Sequence, residues 1–433
     1  MQTNQIKILI IAYYWPPAGG PGVQRWLKFA KYLPEFGVEP TIFIPDNPTY
    51  PIIDEDLTLE VPNNLNIIRF PIKEPYKIAT WLSRKTTKNI SSGLIPAQRK
   101  QTIVDKLLLW IRGNCFIPDA RVSWVKPSVT FLEKYLKDYP VDVVVTTGPP
   151  HSLHLIGLSL QEKLQLPWLA DFRDPWTTIG YQKELKLTEN SKQKHKMLEK
   201  KVLQSVDRVI VTSPTTAQEF SSLTSQPIHV ITNGYDDSSV GKLALDTHFT
   251  IAHIGSLLSE RNPRILWKAL RELRKESQDF KSKMRLKLVG KVSQEILDTL
   301  KEFRLTDALD LLGYLPHEKA VEEQRKSQVL LLIEMNKEET KCILPGKLFE
   351  YMISGRPIMA FGPEGSDIEP ILKNTNTGTF FNYNSVEEVK AHLLELFKEF
   401  EQGTITTHPI GIQPYHRKAL TQKLAEVLNG MLK

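Results

Sequence analysis

The chain of 433 residues has almost no cysteine: Cys115 and Cys342 are its only two. They stand far apart, which argues against a disulfide framework and fits a reducing compartment. Neither has a neighbour at metal-ligand spacing, so no metal site is expected from them. Long hydrophobic runs are also missing, and none approaches the ~20 apolar residues that cross a bilayer. The first apolar run, Ile8 to Trp15, is short and ends at Pro16 and Pro17. It lacks the small-residue cleavage site of a signal peptide. The expected location is cytoplasmic, either in solution or peripheral on the inner face of the plasma membrane. No short tandem repeat is present.

What the chain does contain fits a two-domain enzyme. Its 41% hydrophobic and 24% charged residues are ordinary for a globular protein, and its length calls for two cores of about 200 residues each. Positive charge is in excess, with a net +7 and a pI near 9.0. Much of it lies between Lys73 and Arg112: Lys77, Arg84, Lys85, Lys88, Arg99, Lys100 and Lys106 stand against Glu74 and Asp105. Ile78, Trp81, Leu82 and Leu107 to Ile111 interleave. Basic, apolar, Trp-bearing segments suit an anionic membrane surface, and a solvated helical excursion is the plainer reading. No nucleic-acid motif accompanies the charge, so nucleic acid is not an expected partner.

Strands and helices alternate twice along the chain. Ile6 to Ala12, Thr41 to Pro45, Val141 to Thr146, Trp168 to Asp171, Arg208 to Thr212 and His229 to Thr232 read as strands, with a helix over Val23 to Leu33. After Asn233-Gly234 the segment 236–247 is polar and irregular, as a hinge would be. The pattern then restarts with strands at Phe249 to Ile254, Arg285 to Val289, Leu309 to Leu312 and Val329 to Ile333, and a helix over Pro263 to Lys275. The expectation is an α/β protein of two Rossmann-like, doubly wound domains facing across a cleft. The first covers 1–235 and the second 248–433, with the last helix able to pack back toward the first domain.

Several loops carry candidate chemistry. Gly19-Gly20-Pro21-Gly22 lacks the spacing of the dinucleotide fingerprint, so a nicotinamide cofactor is not the natural reading. Glycines there let backbone amides approach an oxyanion, and a helix begins at once. Arg25, one turn into that helix, reads as a surface charge. Thr147-Gly148-Pro149-Pro150-His151-Ser152, with His154 close behind, follows a buried strand, where a cleft residue should sit. Asp171-Phe172-Arg173-Asp174 ends another strand; its charges either form an ion pair or, through Asp171 and Asp174, touch acceptor hydroxyls. In ILPGKLFEYMISGRPIMAFGPEGSD, residues 343–367, a short helix precedes Gly355 and a strand, Ile358 to Phe361, buried on both faces. Pro345-Gly346 with Lys347 and Glu350 offers amides, a cation and a hydroxyl acceptor together, the needs of a nucleoside diphosphate.

This last run resembles the donor-binding signature of GT-B glycosyltransferases, specifically the large retaining family 4. The resemblance implies that Glu350 accepts hydrogen bonds from the donor's ribose. A second family glutamate would stand at Cys342. YYWPPAGGPGVQRW also resembles the family's first loop, which places Gly19 and Gly20 against the donor phosphates and Gly22 toward the acceptor. An N-domain histidine near the reacting sugar is implied, and either His151 or His154 could serve. Gly255 followed by Arg261 and Arg264 looks like the family's phosphate clamp, with Ser256 where its first cation usually stands and Lys347 able to replace it. Gly290-Lys291 is placed near the nucleotide base.

The expected activity is therefore transfer of a hexosyl- or N-acetylhexosaminyl-type sugar from a nucleotide diphosphate-sugar to an acceptor hydroxyl, with retention. Catalytic roles fall to His151, His154 and Arg261, without a cofactor or metal. A glycan or lipid-linked acceptor of envelope polysaccharide synthesis fits best. A nucleotide-sugar 2-epimerase of the same architecture and a binding protein with an inactive cleft are the alternatives.

Overall fold

The computed structural model describes residues 5–74, 103–180, 182, 185–237, 241 and 243–432. Runs such as Val143–Val145 and Val329–Ile333 are buried on both faces, which requires helices on each side of a parallel sheet. Two such sheets form, one in each of two units. Unit 1 comprises Met1–Asn233 with Arg417–Lys433, and unit 2 comprises Gly234–His416.

In unit 1 the strands are β1 (Ile6–Ile11), β2 (Val38–Pro45), β3 (Asn66–Phe70), β4 (Val143–Gly148), β5 (Trp168–Phe172), β6 (Arg208–Val211) and β7 (Ile228–Val230). They are parallel, in the order β3-β2-β1-β4-β5-β6-β7. The order reverses between β1 and β4, and ligands of open α/β sheets bind beyond the carboxyl ends of strands at such a point. Helices α1 (Pro21–Tyr32), α2 (Ile103–Cys115), α3 (Val122–Asp138), α4 (Ser152–Leu164) and α5 (Glu189–Ser205) accompany the sheet. Trp26, Leu27 and Leu33 pack on Ile8 and Ile10 on one face. On the other, Trp124, Leu132, Leu153 and Val202 pack on Leu9, Val144 and Trp168. The C-terminal helix, Arg417–Gly430, adds Leu424 and Leu428 to the first of these cores. Arg417 of that helix donates to Gln24 Oε1 at 2.6 Å.

Unit 2 holds β8 (Phe249–Ile254), β9 (Met284–Val289), β10 (Leu309–Gly313), β11 (Val329–Ile333), β12 (Ile358–Phe361) and β13 (Gly378–Phe381). Their order is β10-β9-β8-β11-β12-β13, again parallel, with the reversal between β8 and β11. Helices α6 (Arg264–Glu276), α7 (His317–Lys326), α8 (Gly346–Met352), α9 (Ile368–Thr375) and α10 (Val386–Glu401) cover it.

The stretch 236–247, read as a hinge, is fastened to unit 2 at both flanks. Tyr235 is buried among Phe349, Tyr351 and their neighbours. Asp246 pairs with Lys287 at 2.7 Å and accepts from Thr250 Oγ1 at 2.9 Å. A buried ammonium needs a carboxylate, and Asp246 supplies it.

Among the described residues no helix is long and apolar enough to cross a membrane. Of the basic stretch, Lys77, Ile78, Trp81, Leu82, Arg84, Lys85, Lys88, Arg99 and Lys100 lie outside the described residues. Helix α2 lies within them and leaves Leu107 and Trp110 exposed.

Candidate active site

In unit 1 the loop after β1 is shaped by backbone demands. Gly20 is the N-cap of α1 at φ 116°, a conformation that side chains rarely adopt, and a Cβ there would meet no atom. Gly19 donates its N–H to Ile52 O at 3.1 Å, and its Cβ would lie 3.0 Å from the Ile52 side chain. Gly22 has another reason: a Cβ there would fall 1.5 Å from Arg173 Nη1. The Arg173 guanidinium thus lies against the first turn of α1, donating to Pro149 O.

Arg25 is not the surface charge its position suggested. It is buried and pairs with Asp171, with side-chain exposures of 2% and 0%. Asp171 also accepts from Trp26 Nε1 at 2.6 Å and Thr147 Oγ1 at 2.8 Å. This carboxylate, placed on the acceptor side by the sequence, is consumed by protein donors and ties α1 to β4 and β5. Asp174 is half-buried. Burial raises its pKa, opposed by neighbouring Arg173.

Both histidines after β4 are buried. His154 Nδ1 lies 2.9 Å from Thr146 Oγ1, and its ring stacks on Phe172 at 4.3 Å. Thr146 Oγ1 also accepts from Trp168 Nε1 at 2.9 Å, so the hydroxyl holds both rings. Burial pushes the His154 pKa down to about 3, and that of His151 well below its usual value, helped by His154 and Arg173. Burial thus keeps both imidazoles neutral. His151 stacks flat on Trp176 at 5.0 Å, and neither of its nitrogens has a hydrogen-bond partner.

In unit 2 the groups gather beyond the carboxyl ends of β8 and β11. Gly255 opens its loop at φ 118°, and a Cβ there would lie 3.2 Å from Lys347 Nζ. Gly290, at φ 108°, packs back to back with it: a Cβ on Gly290 would lie 2.7 Å from Gly255 O. The two glycines therefore permit close backbone approach. Arg261 Nη2 pairs at 3.1 Å with Glu334, whose side chain is only 1% exposed. Glu334 Oε1 and Arg261 Nε have no partner. Burial lowers the Lys347 pKa to about 8, with Glu334 opposing and Arg261 assisting. Glu350 is half-buried and accepts weakly from Gln324 Nε2 at 3.4 Å.

One expectation changes here. Arg264 faces outward, over Phe303 and paired with the exposed Glu302, so the clamp rests on Arg261 without it. Helix α8 has seven residues and begins directly after Pro345. Cys342 is buried, its thiol directed to Glu339 O at 3.7 Å. Among the described residues no cluster of three or more acidic, histidine or cysteine side chains could hold a metal.

Two family models match the sequence: glycosyltransferase family 4 over residues 96–239 and glycosyl transferases group 1 over residues 248–399. The chain is a family 4-like GT-B glycosyltransferase. Its fold is similar to that of TarM, at 13% identity and a TM-score of 0.61, covering 99% of each chain. A sucrose-phosphate synthase from Thermosynechococcus elongatus gives 14% and 0.59, covering 99% of this chain and 96% of the other. WaaG, a glycosyltransferase of lipopolysaccharide biosynthesis, gives 12% and 0.55, covering 98% and 100%. At such identities the likeness is one of fold. No curated protein matches the sequence.

The sequence reading of this glycosyltransferase missed Glu334 and His253. Both are polar residues at the end of an apolar strand run, LLLIE and TIAHI. That position, at a carboxyl strand end, was the available signal.

Proposed function

We propose that the protein transfers a sugar from a nucleotide diphosphate-sugar to an acceptor hydroxyl, with retention, in envelope polysaccharide or lipid-linked glycan synthesis. The observation that carries the donor assignment is the gathering of Arg261, Lys347 and Glu350 around the positive-φ Gly255. Two cations beside closely approachable backbone suit a diphosphate, and a half-buried carboxylate suits ribose hydroxyls. Arg261 and Lys347 stabilise the charge that grows on the diphosphate as the sugar bond breaks, which lowers the barrier rather than merely tightening binding. The sequence offers no pair of carboxylates like that of a retaining glycosidase, which favours a front-face route in which the departing diphosphate oxygen takes the acceptor's proton.

Gly19 and Gly20 serve the donor phosphates in this reading, Gly290 the nucleotide side, and Gly22 with Asp174 the acceptor side. His151, with its unpartnered nitrogens, takes the orienting role in preference to the core residue His154. The two cations do the electrostatic work of a metal, so transfer should be unchanged by EDTA. The role of WaaG in lipopolysaccharide synthesis favours an envelope acceptor, and the UDP bound in a TarM structure puts UDP-sugars first in a donor panel. Exposed Leu107 and Trp110 beside Lys106 on α2 suit a peripheral seat on the inner face of an anionic membrane.

A thermal-shift panel of nucleotide diphosphates and their sugars tests the donor assignment. A ligand at a hundredfold its Kd should add about 2.7 kcal/mol to stability. Glu350→Ala should weaken the best binder by about 2–4 kcal/mol, roughly 30- to 900-fold, while the fold persists. Unchanged affinity by calorimetry would refute the ribose role.

A further inference from the structure

Strand β8 is central in its sheet, bonded to β9 and β11, and every residue of it is buried. An imidazole at such a place costs stability unless its nitrogens find partners. His253 has two. Its Nδ1 lies 3.0 Å from Leu331 O of β11; a carbonyl only accepts, so Nδ1 carries the proton. In the neutral ring Nε2 is then an acceptor, and it lies 3.4 Å from Lys347 Nζ, a group that only donates. Burial and the nearby positive charge of Lys347 hold His253 neutral, its pKa well below the usual value. Beyond the imidazole, the ammonium faces Arg261 and Glu334 and, from its own helix, Glu350. On its remaining side it overhangs Gly255, where any Cβ would crowd it.

We propose that His253 is a positioning residue of the donor site: its Nε2 accepts from the Lys347 ammonium and fixes it over Gly255, as the second cation for a bound diphosphate. This rests on the donor reading above. It explains why a costly histidine occupies a core strand and why Ser256 can stand where the family's first cation usually does. A lysine has four rotatable side-chain bonds, and a fixed acceptor removes much of the freedom that binding an anion would otherwise have to freeze out.

The test uses the full chain with UDP, GDP and their glucose and mannose sugars as probes, by isothermal titration calorimetry across pH 6.5–9.5. His253→Asn keeps an amide donor toward Leu331 but does not reach Lys347, whereas His253→Gln extends an acceptor to it. The asparagine variant should bind the best probe about five- to tenfold more weakly. Its binding should also fall away at lower pH than in the parent, because the ammonium has lost an acceptor. Glutamine should restore most of both. In a Lys347→Met background the asparagine change should cost nothing further. Parent-like affinity and pH profile in His253→Asn, or the same loss with and without Lys347, would overturn the positioning role. Nitrogen-15 shifts of His253 in the unsubstituted protein give a reading that needs no variant to fold: Nε2 should be unprotonated, and a protonated Nε2 overturns the inference. Should the parent bind none of the probes, the donor reading itself fails. Should it bind them and need Lys347 but not His253, only the inference made here fails.

Discussion

Replacing Asp171 with asparagine should destabilise unit 1 by about 3–5 kcal/mol, the range for breaking a buried ion pair from one side. The upper half of that range is favoured by the local geometry. Arg25 and Asp171 are all but fully buried, at 2% and 0% side-chain exposure. Once the carboxylate is neutral, the Arg25 guanidinium keeps the Thr232 carbonyl, at 2.7 Å, and the Phe29 ring, at 4.9 Å, but no anion among its present partners. The new amide nitrogen would face donors whichever way it turns, Arg25 on one side or Trp26 and Thr147 on the other. In units of 150–250 residues each kcal/mol lowers Tm by about 2–4 °C, so a drop of about 6–20 °C is expected. Scanning calorimetry of the whole chain would read it, with the unit 2 transition as an internal reference if the units unfold separately. The cycle is completed by Arg25→Met with Asp171→Leu, which removes both charges and should recover much of the loss. A single variant within 1 kcal/mol of the parent would refute the buried-pair argument. So would a double variant no more stable than the single one. Protein that remains folded should keep its KM for acceptor, since the carboxylate is spent on protein donors.

Donor binding should weaken as pH rises through about 8, where Lys347 loses its charge. Ligand-free stability should move the other way, since the unfolded lysine, with its higher pKa, binds more protons than the native one between that value and the ordinary lysine range. A nucleotide-sugar probe in a thermal-shift pH series reads both, and a ligand-induced shift that grows above pH 8 would contradict the assignment. Gly22→Ala should cost about 1–3 kcal/mol by driving its Cβ into Arg173, and adding Arg173→Ala should relieve the clash; denaturant titration compares the two. Anionic vesicles should co-sediment the protein in a salt-sensitive manner, with about 1 kcal/mol lost for each basic residue neutralised near the surface. Equal recovery with neutral vesicles would remove the electrostatic part of that proposal.

The sequence by itself determined the two-fold repetition of strand and helix, because the signals are local. Val329–Ile333 and Phe249–Ile254 are apolar runs that only a covered parallel sheet can bury, and both form strands with those bounds. Gly20 and Gly255 marked loops and Gly355 a helix end, and all three take positive φ, a property of one residue and its neighbours. LPGKLFEY likewise placed Lys347 and Glu350 on one short helix. The partners of those residues were not legible, since they arrive from elements far along the chain. Arg25 and Asp171 are 146 positions apart, and no periodicity shows that one charge will neutralise the other inside a core. Lys347 meets His253 across 94 positions, and Arg261 meets Glu334 across 73. Each is an ordinary polar residue in its own segment. Each parallel sheet brings its own loops to its carboxyl edge, and only in the folded unit do burial and charge pairing set which groups stay neutral, which stay charged and which remain open to a ligand.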